Sequence, residues 1–301
     1  MRYLVVGLGN LGQKRRRVLG EKCVATADPF NPAADYANPA DCPSNRYDAA
    51  VLAVPTQTKL PLLEYFLEHG KDVLVEKPLL FDDRASADRL DRLARRHSAT
   101  WYTSYNHRFE PLVERLKQRL DAGQLGTFYY GRLFYGNGTV ANVVGTWRDH
   151  GLGVLEDLGS HLLDLSGFLL GRPEGPFRPW SLERHEASAS FDHCVLASDS
   201  GRLVLEVSFL AWKNTFSVDL FGEHGSLHLA GLPKWGPATL VSRERVLPSG
   251  VPREETETAP AGEDTTWERD IAHFESLNGT GKTTVDNDWW ISETLQRLAG
   301  A

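Results

Sequence analysis

Gly7-Leu8-Gly9-Asn10-Leu11-Gly12 constrains this chain more than any other segment. Four apolar residues, Tyr3 to Val6, lead into it, and a helical pattern follows. In a strand-turn-helix of this kind each glycine has its own purpose. The first permits a tight turn, the second lets a phosphate approach the backbone, and the third lets the helix pack closely on the strand. The helix N-terminus offers unpaired N–H groups and a partial positive charge, which suits a pyrophosphate. Asn10 and Leu11 at that terminus join Gly7, Gly9 and Gly12 as candidate contacts. Asp28 ends the next strand, where a carboxylate can accept hydrogen bonds from ribose hydroxyls. These residues predict a dinucleotide site. NAD is favoured, because a 2′-phosphate would meet like charge at Asp28 and no arginine among Pro29, Phe30 and Asn31. NADP stays open through Arg15 or Arg16. A turn-forming aspartate before proline is the plainer reading of Asp28.

The first half continues in the same rhythm. Short apolar runs at residues 22–27, 49–54, 72–75 and 100–105 alternate with helical patterns at 60–69 and 82–97. Continuous apolar strands separated by helices predict a parallel sheet covered on both faces, a doubly wound α/β domain over residues 1–122. Past residue 123 the pattern changes. Strand-like runs at 126–135, 191–197, 202–210, 216–221 and 226–230 are joined mostly by short turns, which argues an antiparallel meander. One long helix is expected at 154–170, an exposed loop at Pro248 to Glu263, and helices at 267–277 and 287–298. The second domain is therefore expected at 123–301, with the last helix packing back on the first.

At 301 residues the chain is comfortable for two domains. Its net charge of -7 disfavours nucleic acid and anionic membrane. The basic run Lys14-Arg15-Arg16-Arg17 reads as a solvated helix face. Cys23, Cys42 and Cys194 are too few and too scattered for a disulfide framework or a cysteine-based zinc site. No apolar stretch approaches the ~20 residues of a membrane span. Because residues 3–6 already read as a buried strand, no export signal is expected and the cytoplasm is the expected location.

Two further segments carry chemistry. Glu76-Lys77-Pro78 falls at the C-terminal end of a parallel strand, where open α/β sheets place their ligands. Pro78 restricts the backbone of Lys77, whose ammonium can hydrogen-bond a substrate hydroxyl or carbonyl. On spacing alone, a surface salt bridge between Lys77 and Glu76 explains the pair equally well. On the helix expected at 154–170, Asp157, His161 and Asp164 share a face at i, i+4 and i+7. A histidine flanked by carboxylates can act as a general base, although a structural histidine near the core is the commoner outcome. A metal on Asp157 and His161 lacks a third ligand, so none is expected.

The glycine fingerprint, Glu76-Lys77-Pro78 and the Gly-rich lead into Asp157-x-x-x-His161, in that order, resemble the Gfo/Idh/MocA family of glucose–fructose oxidoreductases and inositol dehydrogenases. The resemblance covers nearly the whole chain. It implies an N-terminal Rossmann domain and a C-terminal α/β domain on a large, mostly antiparallel open sheet. That sheet would make the contact in a homo-oligomer, a dimer or tetramer. It also implies Lys77, Asp157 and His161 as catalytic residues. Val54, Pro55, Glu76 and Asn106 would border the cofactor, and Asn106, Trp147 and Arg148 the sugar or polyol substrate. His107 reads as structural, and Trp147 reads equally as a hydrophobic plug. Where the family often has histidine four residues after Pro55, this chain has Lys59, and it is short for the family. The implied activity is hydride transfer between NAD(P) and a secondary alcohol of a sugar, cyclitol or nucleotide-sugar. The alternatives are an NAD-dependent glycosidase acting by transient oxidation and a non-catalytic dinucleotide- or sugar-sensing regulator.

Overall fold

A computed structural model describes residues 1–186 and 189–300; the side chain of Trp147 lies outside the described residues. The chain forms two compact units. The first joins Met1–Asn106 to Thr266–Glu293, and the second joins His107–Thr265 to the segment from Thr294 onward.

The first unit begins with β1 (Tyr3–Val6), α1 (Asn10–Leu19), β2 (Cys23–Ala27), β3 (Ala49–Leu52), α2 (Thr56–Glu68), β4 (Asp72–Glu76), α3 (Arg84–Arg96) and β5 (Trp101–Ser104). All five strands are parallel, in the order β2-β1-β3-β4-β5. Buried on both faces, their side chains alternate between two cores. Tyr3 and Val5 pack with Leu19, Ile271 and Phe274. Leu4 and Val6 pack with Leu63, Phe66, Leu67 and Leu90. The strand order reverses beside β1, and in such sheets ligands lie beyond the strand C-termini at that switch point, between β1 and β3. The fingerprint turn follows β1, and Val54 and Pro55 follow β3.

In the second unit the chain runs through α4 (Pro111–Asp121), β6 (Phe128–Gly136), α5 (Val140–Val143), a π-helical turn at Leu155–Gly159 and α6 (Ser160–Leu170). The strands β7 (Phe177–Glu183), β8 (His193–Ser198), β9 (Leu203–Ser208), β10 (Thr215–Gly222), β11 (Gly225–Ala230), β12 (Ala238–Glu244) and β13 (Arg253–Ala259) complete an eight-stranded sheet. Its order is β13-β12-β11-β10-β6-β9-β8-β7, antiparallel except for β6 beside β9. The helices α4 and α6 pack on one face. The other face carries exposed Tyr129 and Tyr130, the latter stacked on Phe221. The chain then returns to the first unit through α7 (Thr266–Ser276) and most of α8 (Val285–Ala299).

The expected α/β class and both sheet types are present. Three local expectations are corrected. Much of the expected loop at Pro248 to Glu263 is strand β13, paired along its length with β12. It is an edge strand of alternating Glu and Thr with no apolar face, and Arg119 of α4 anchors it by ion pairs to Glu255 and Glu257. The helix expected at 154–170 is interrupted by the π turn, which changes the angular spacing of its side chains. The basic run is not wholly a solvated face, because Arg15 is fully buried.

Candidate functional site

The fingerprint turn has the shape a dinucleotide requires. Gly7 adopts φ +88°, and a Cβ there would lie 2.4 Å from the carbonyl oxygen of Ala53. At Gly12 a Cβ would fall 1.7 Å from the Gly7 oxygen, so the third glycine is the close approach of α1 to its own turn. Gly9 differs: nothing lies within 4 Å of a Cβ placed there. That free space would let a phosphate approach the backbone. Gly9 caps α1 and no side chain caps the helix, so its first N–H groups face the site.

Asp28 is held by the same turn. Its Oδ2 accepts from Leu8 N at 2.7 Å, and its Oδ1 accepts from Phe30 N at 2.8 Å and Asn31 N at 3.0 Å. Partial burial pushes the carboxyl up, but the three backbone donors outweigh it and hold Asp28 below the usual carboxylate range. An ionised carboxylate offers about four acceptor sites, so roughly one remains for a ribose hydroxyl. The turn-forming role and the ribose role thus coexist in one side chain. The residues fit a bound dinucleotide.

Replacing Gly9 with alanine separates fold from binding. Its φ of -68° suits alanine, and no atom stands in the way. The variant is expected to melt with the parent yet to bind NADH about tenfold or more weakly, a loss of about 1.4 kcal/mol or more. Fluorescence titration beside a thermal melt tests this. Undiminished affinity would remove Gly9 from the site.

Next to the turn, Arg15 organises the strand ends. Its Nε donates to Glu76 Oε1 at 2.6 Å, and its Nη2 meets Asp270 Oδ2 at 2.9 Å and donates to Ser104 Oγ. Ser104 in turn donates to Asp270 at 2.6 Å. The Arg15 guanidinium also lies 4.4 Å from the Trp267 ring centroid. Burial opposes the charge on Arg15, but Glu76 and Asp270 prevail and hold it above its ordinary value. With two carboxylates against one guanidinium, burial prevails at Asp270 and pushes its carboxyl up. Two readings change. Arg15 is committed here and is not a ligand for a 2′-phosphate, which leaves Arg16, exposed on a cavity of about 510 Å³ with Leu8, Gln13 and Asn31. The carboxylate of Glu76 serves Arg15 rather than a surface salt bridge with Lys77. Asn106 donates from Nδ2 to Thr266 Oγ1 at 2.7 Å.

In the second unit His161 is buried at the start of α6. The ring of His107 packs on it at 4.2 Å between centroids, and Tyr135 lies 6.0 Å away. Phe216 and Trp235 complete this aromatic group around His107 and Tyr135. Asp157, on the π turn, pairs with Arg148 at 3.4 Å. Asp164 forms a two-point ion pair with Arg108. His161 thus packs against a second imidazole, while Asp157 pairs with Arg148 and Asp164 with Arg108. Burial, followed by the charge of Asp157, raises the Tyr135 hydroxyl far above its usual value. His107, read as structural, packs its ring directly against that of His161. Trp147 opens a short 3₁₀ turn at Trp147–Asp149, and its side chain lies outside the described residues. No group of three or more potential metal ligands occurs among the described residues.

These features define a dinucleotide-binding α/β protein with a separate unit of buried imidazole and carboxylate groups. Residues 1–105 match the model of an oxidoreductase family with an NAD-binding Rossmann fold, and residues 113–228 match the GFO/IDH/MocA C-terminal domain. The chain belongs to the Gfo/Idh/MocA family. It is 30% identical to the oxidoreductase YdgJ of Escherichia coli (strain K12) over 189 residues, 62% of this chain and 54% of that protein. It is 26% identical to the scyllo-inositol 2-dehydrogenase (NAD(+)) of Bacillus subtilis (strain 168) over 192 residues, 57% of this chain and 54% of that one. Each match spans about half the length of the relative. An Agrobacterium radiobacter oxidoreductase, crystallised with NAD+, L-tartaric acid and magnesium, shares the fold with a TM-score of 0.78. Its identity is 17%, over 99% of this chain and 95% of the other. No helix among the described residues is long and apolar enough to cross a membrane.

Proposed function

We propose that the protein is an NAD-dependent dehydrogenase acting on a secondary alcohol of a sugar, cyclitol or nucleotide-sugar. The observation that carries this reading is a buried His161, paired with a second imidazole, in a chain whose other unit is an NAD-binding Rossmann fold. The kinship to an inositol dehydrogenase supports the substrate class.

In this reading the first unit, with Gly7, Gly9, Asn10, Leu11 and Gly12 at the pyrophosphate and Asp28 at the adenosine ribose, holds the dinucleotide. Val54, Pro55, Glu76 and Asn106 border the rest of it. When bound, the nicotinamide supplies a hydride acceptor or donor at its C4. Lys77 donates a hydrogen bond to the reacting oxygen and polarises it. His161 takes the hydroxyl proton as the carbinol carbon is oxidised, and returns it in reduction. Asp157 and Arg148, already paired, orient His161 or bind neighbouring hydroxyls, and Trp147 contributes an apolar face to the ring. The open face of the eight-stranded sheet forms a homo-oligomer contact, supported by exposed Tyr129 and Tyr130. Three free cysteines support a reducing compartment, the cytoplasm.

A panel of sugars, inositols and nucleotide-sugars, assayed with NAD and NADP through the absorbance of the reduced cofactor, tests this. At least one polyol is expected to reduce NAD, and faster than NADP. Glycoside cleavage without net cofactor reduction, or no turnover of any member, would overturn it.

A further inference from the structure

Lys59 is buried in the first turns of α2, only 3% exposed, and the reaction proposed above does not use it. Its ammonium reaches the turn after β4, where it donates to the carbonyl oxygen of Pro78 at 2.7 Å and to that of Lys77 at 3.2 Å. An ammonium removed from water needs such partners, and its three donors can serve two carbonyls of one turn at once. Charge-assisted bonds of this kind are the stronger sort. On the other side of Lys77, the carboxylate of Glu76 is held by Arg15. The backbone is therefore anchored immediately before Lys77 and at and after it, by cationic side chains from two different helices.

We propose that Lys59 is a positioning residue for Lys77: by gripping the Lys77 and Pro78 carbonyls it fixes the direction in which the Lys77 side chain leaves the strand. The proposal rests on the reading of Lys77 as the group that binds the reacting oxygen. Lys59 acts through backbone oxygens, and its loss acts on orientation while the dinucleotide turn, built on α1 and Asp28, stays intact.

The test compares Lys59→Met, Lys59→Gln and Lys77→Ala, using NAD with the polyol that the panel turns over fastest. NADH affinity is read by fluorescence titration and unfolding by circular dichroism. The methionine variant keeps the apolar stem and loses every donor. Its turnover is expected to fall by about 10²-fold, the scale of a misplacement of about 1 Å, with KM and NADH affinity close to the parent's. The glutamine variant keeps N–H donors without the charge and is expected to recover most of that loss. It also carries the test if the methionine variant does not fold. If Lys77→Ala is inactive while the methionine variant turns over like the parent, the proposal fails and the reading of Lys77 stands. If Lys77→Ala is fully active, that reading fails, and the proposal with it. A methionine variant that loses NADH affinity and thermal stability in step with turnover assigns Lys59 to structure alone and overturns the proposal.

Discussion

Replacing His161 with alanine is expected to lower turnover by about 10²–10⁴-fold, the usual worth of a positioned proton-transfer group. Lys77→Ala is expected to lose a comparable factor. The effect should fall on kcat with little change in NADH affinity, because His161 lies in the second unit and the dinucleotide turn in the first. His161 packs against the His107 ring with centroids 4.2 Å apart, which holds its imidazole in place for a proton transfer. Steady-state rates with NAD and an active polyol, beside NADH titration, give the answer. If both variants stay within a few-fold of the parent while the cofactor still binds, neither residue has the role given to it.

The largest stability effect is expected at Arg15. Arg15→Met leaves Glu76 and Asp270 facing each other without their cation, and breaking a buried ion pair in this way costs about 3–5 kcal/mol. The cost arises because the carboxylates cannot regain water: Asp270 and Arg15 are fully buried and Glu76 nearly so. Asp270→Asn should cost less, since it removes the excess negative charge and leaves Arg15 paired with Glu76. Adding Asp270→Asn to Arg15→Met should restore part of the loss, because the two sites share one network. Urea unfolding curves of the three variants test the ranking. A midpoint for Arg15→Met equal to the parent's would mean that the cluster contributes nothing net.

The legibility of this chain follows its chemistry. The parallel sheet was readable because its strands are buried on both faces and appear as uninterrupted apolar runs ending at Gly7, Asp28 and Pro55. The fingerprint was readable because steric demand at Gly7 and Gly12 leaves only one residue type. β13 was not, because its Arg-Glu-Glu-Thr-Glu-Thr-Ala sequence is held by backbone pairing and by Arg119 rather than by an apolar face. β7 was hidden for a related reason, since Pro179 sits at a register shift and breaks the alternation. At the candidate site, the residue types were legible and their pairings were not. Arg15 looks like one more member of a basic run, and only the fold brings it to Glu76 and to Asp270, which is 255 positions away in sequence. Lys59 looked like a departure from a family pattern, and its two carbonyl partners become visible only when α2 is placed beside the turn after β4. The π turn moved Asp157 out of the regular spacing on which the carboxylate–histidine face relied.

The return of the chain to its first unit has a consequence for how the molecule is made. Domains commonly finish folding in the order of their synthesis, the N-terminal one first. Here the nucleotide-binding unit lacks its own closing pieces until residues 266–293 exist, because Asp270 completes the Arg15 cluster and Asp288 accepts from Trp101 Nε1 at 3.0 Å. A nascent chain of 265 residues holds the whole glycine turn and every strand of the parallel sheet, yet Arg15 has Glu76 without Asp270, and Trp101 Nε1 lacks its acceptor Asp288. The unit that starts first is therefore completed only after every strand of the second has been made, and a chain cut off before α7 is expected to lack the Asp270 and Asp288 contacts of its cofactor domain even though every fingerprint residue is present.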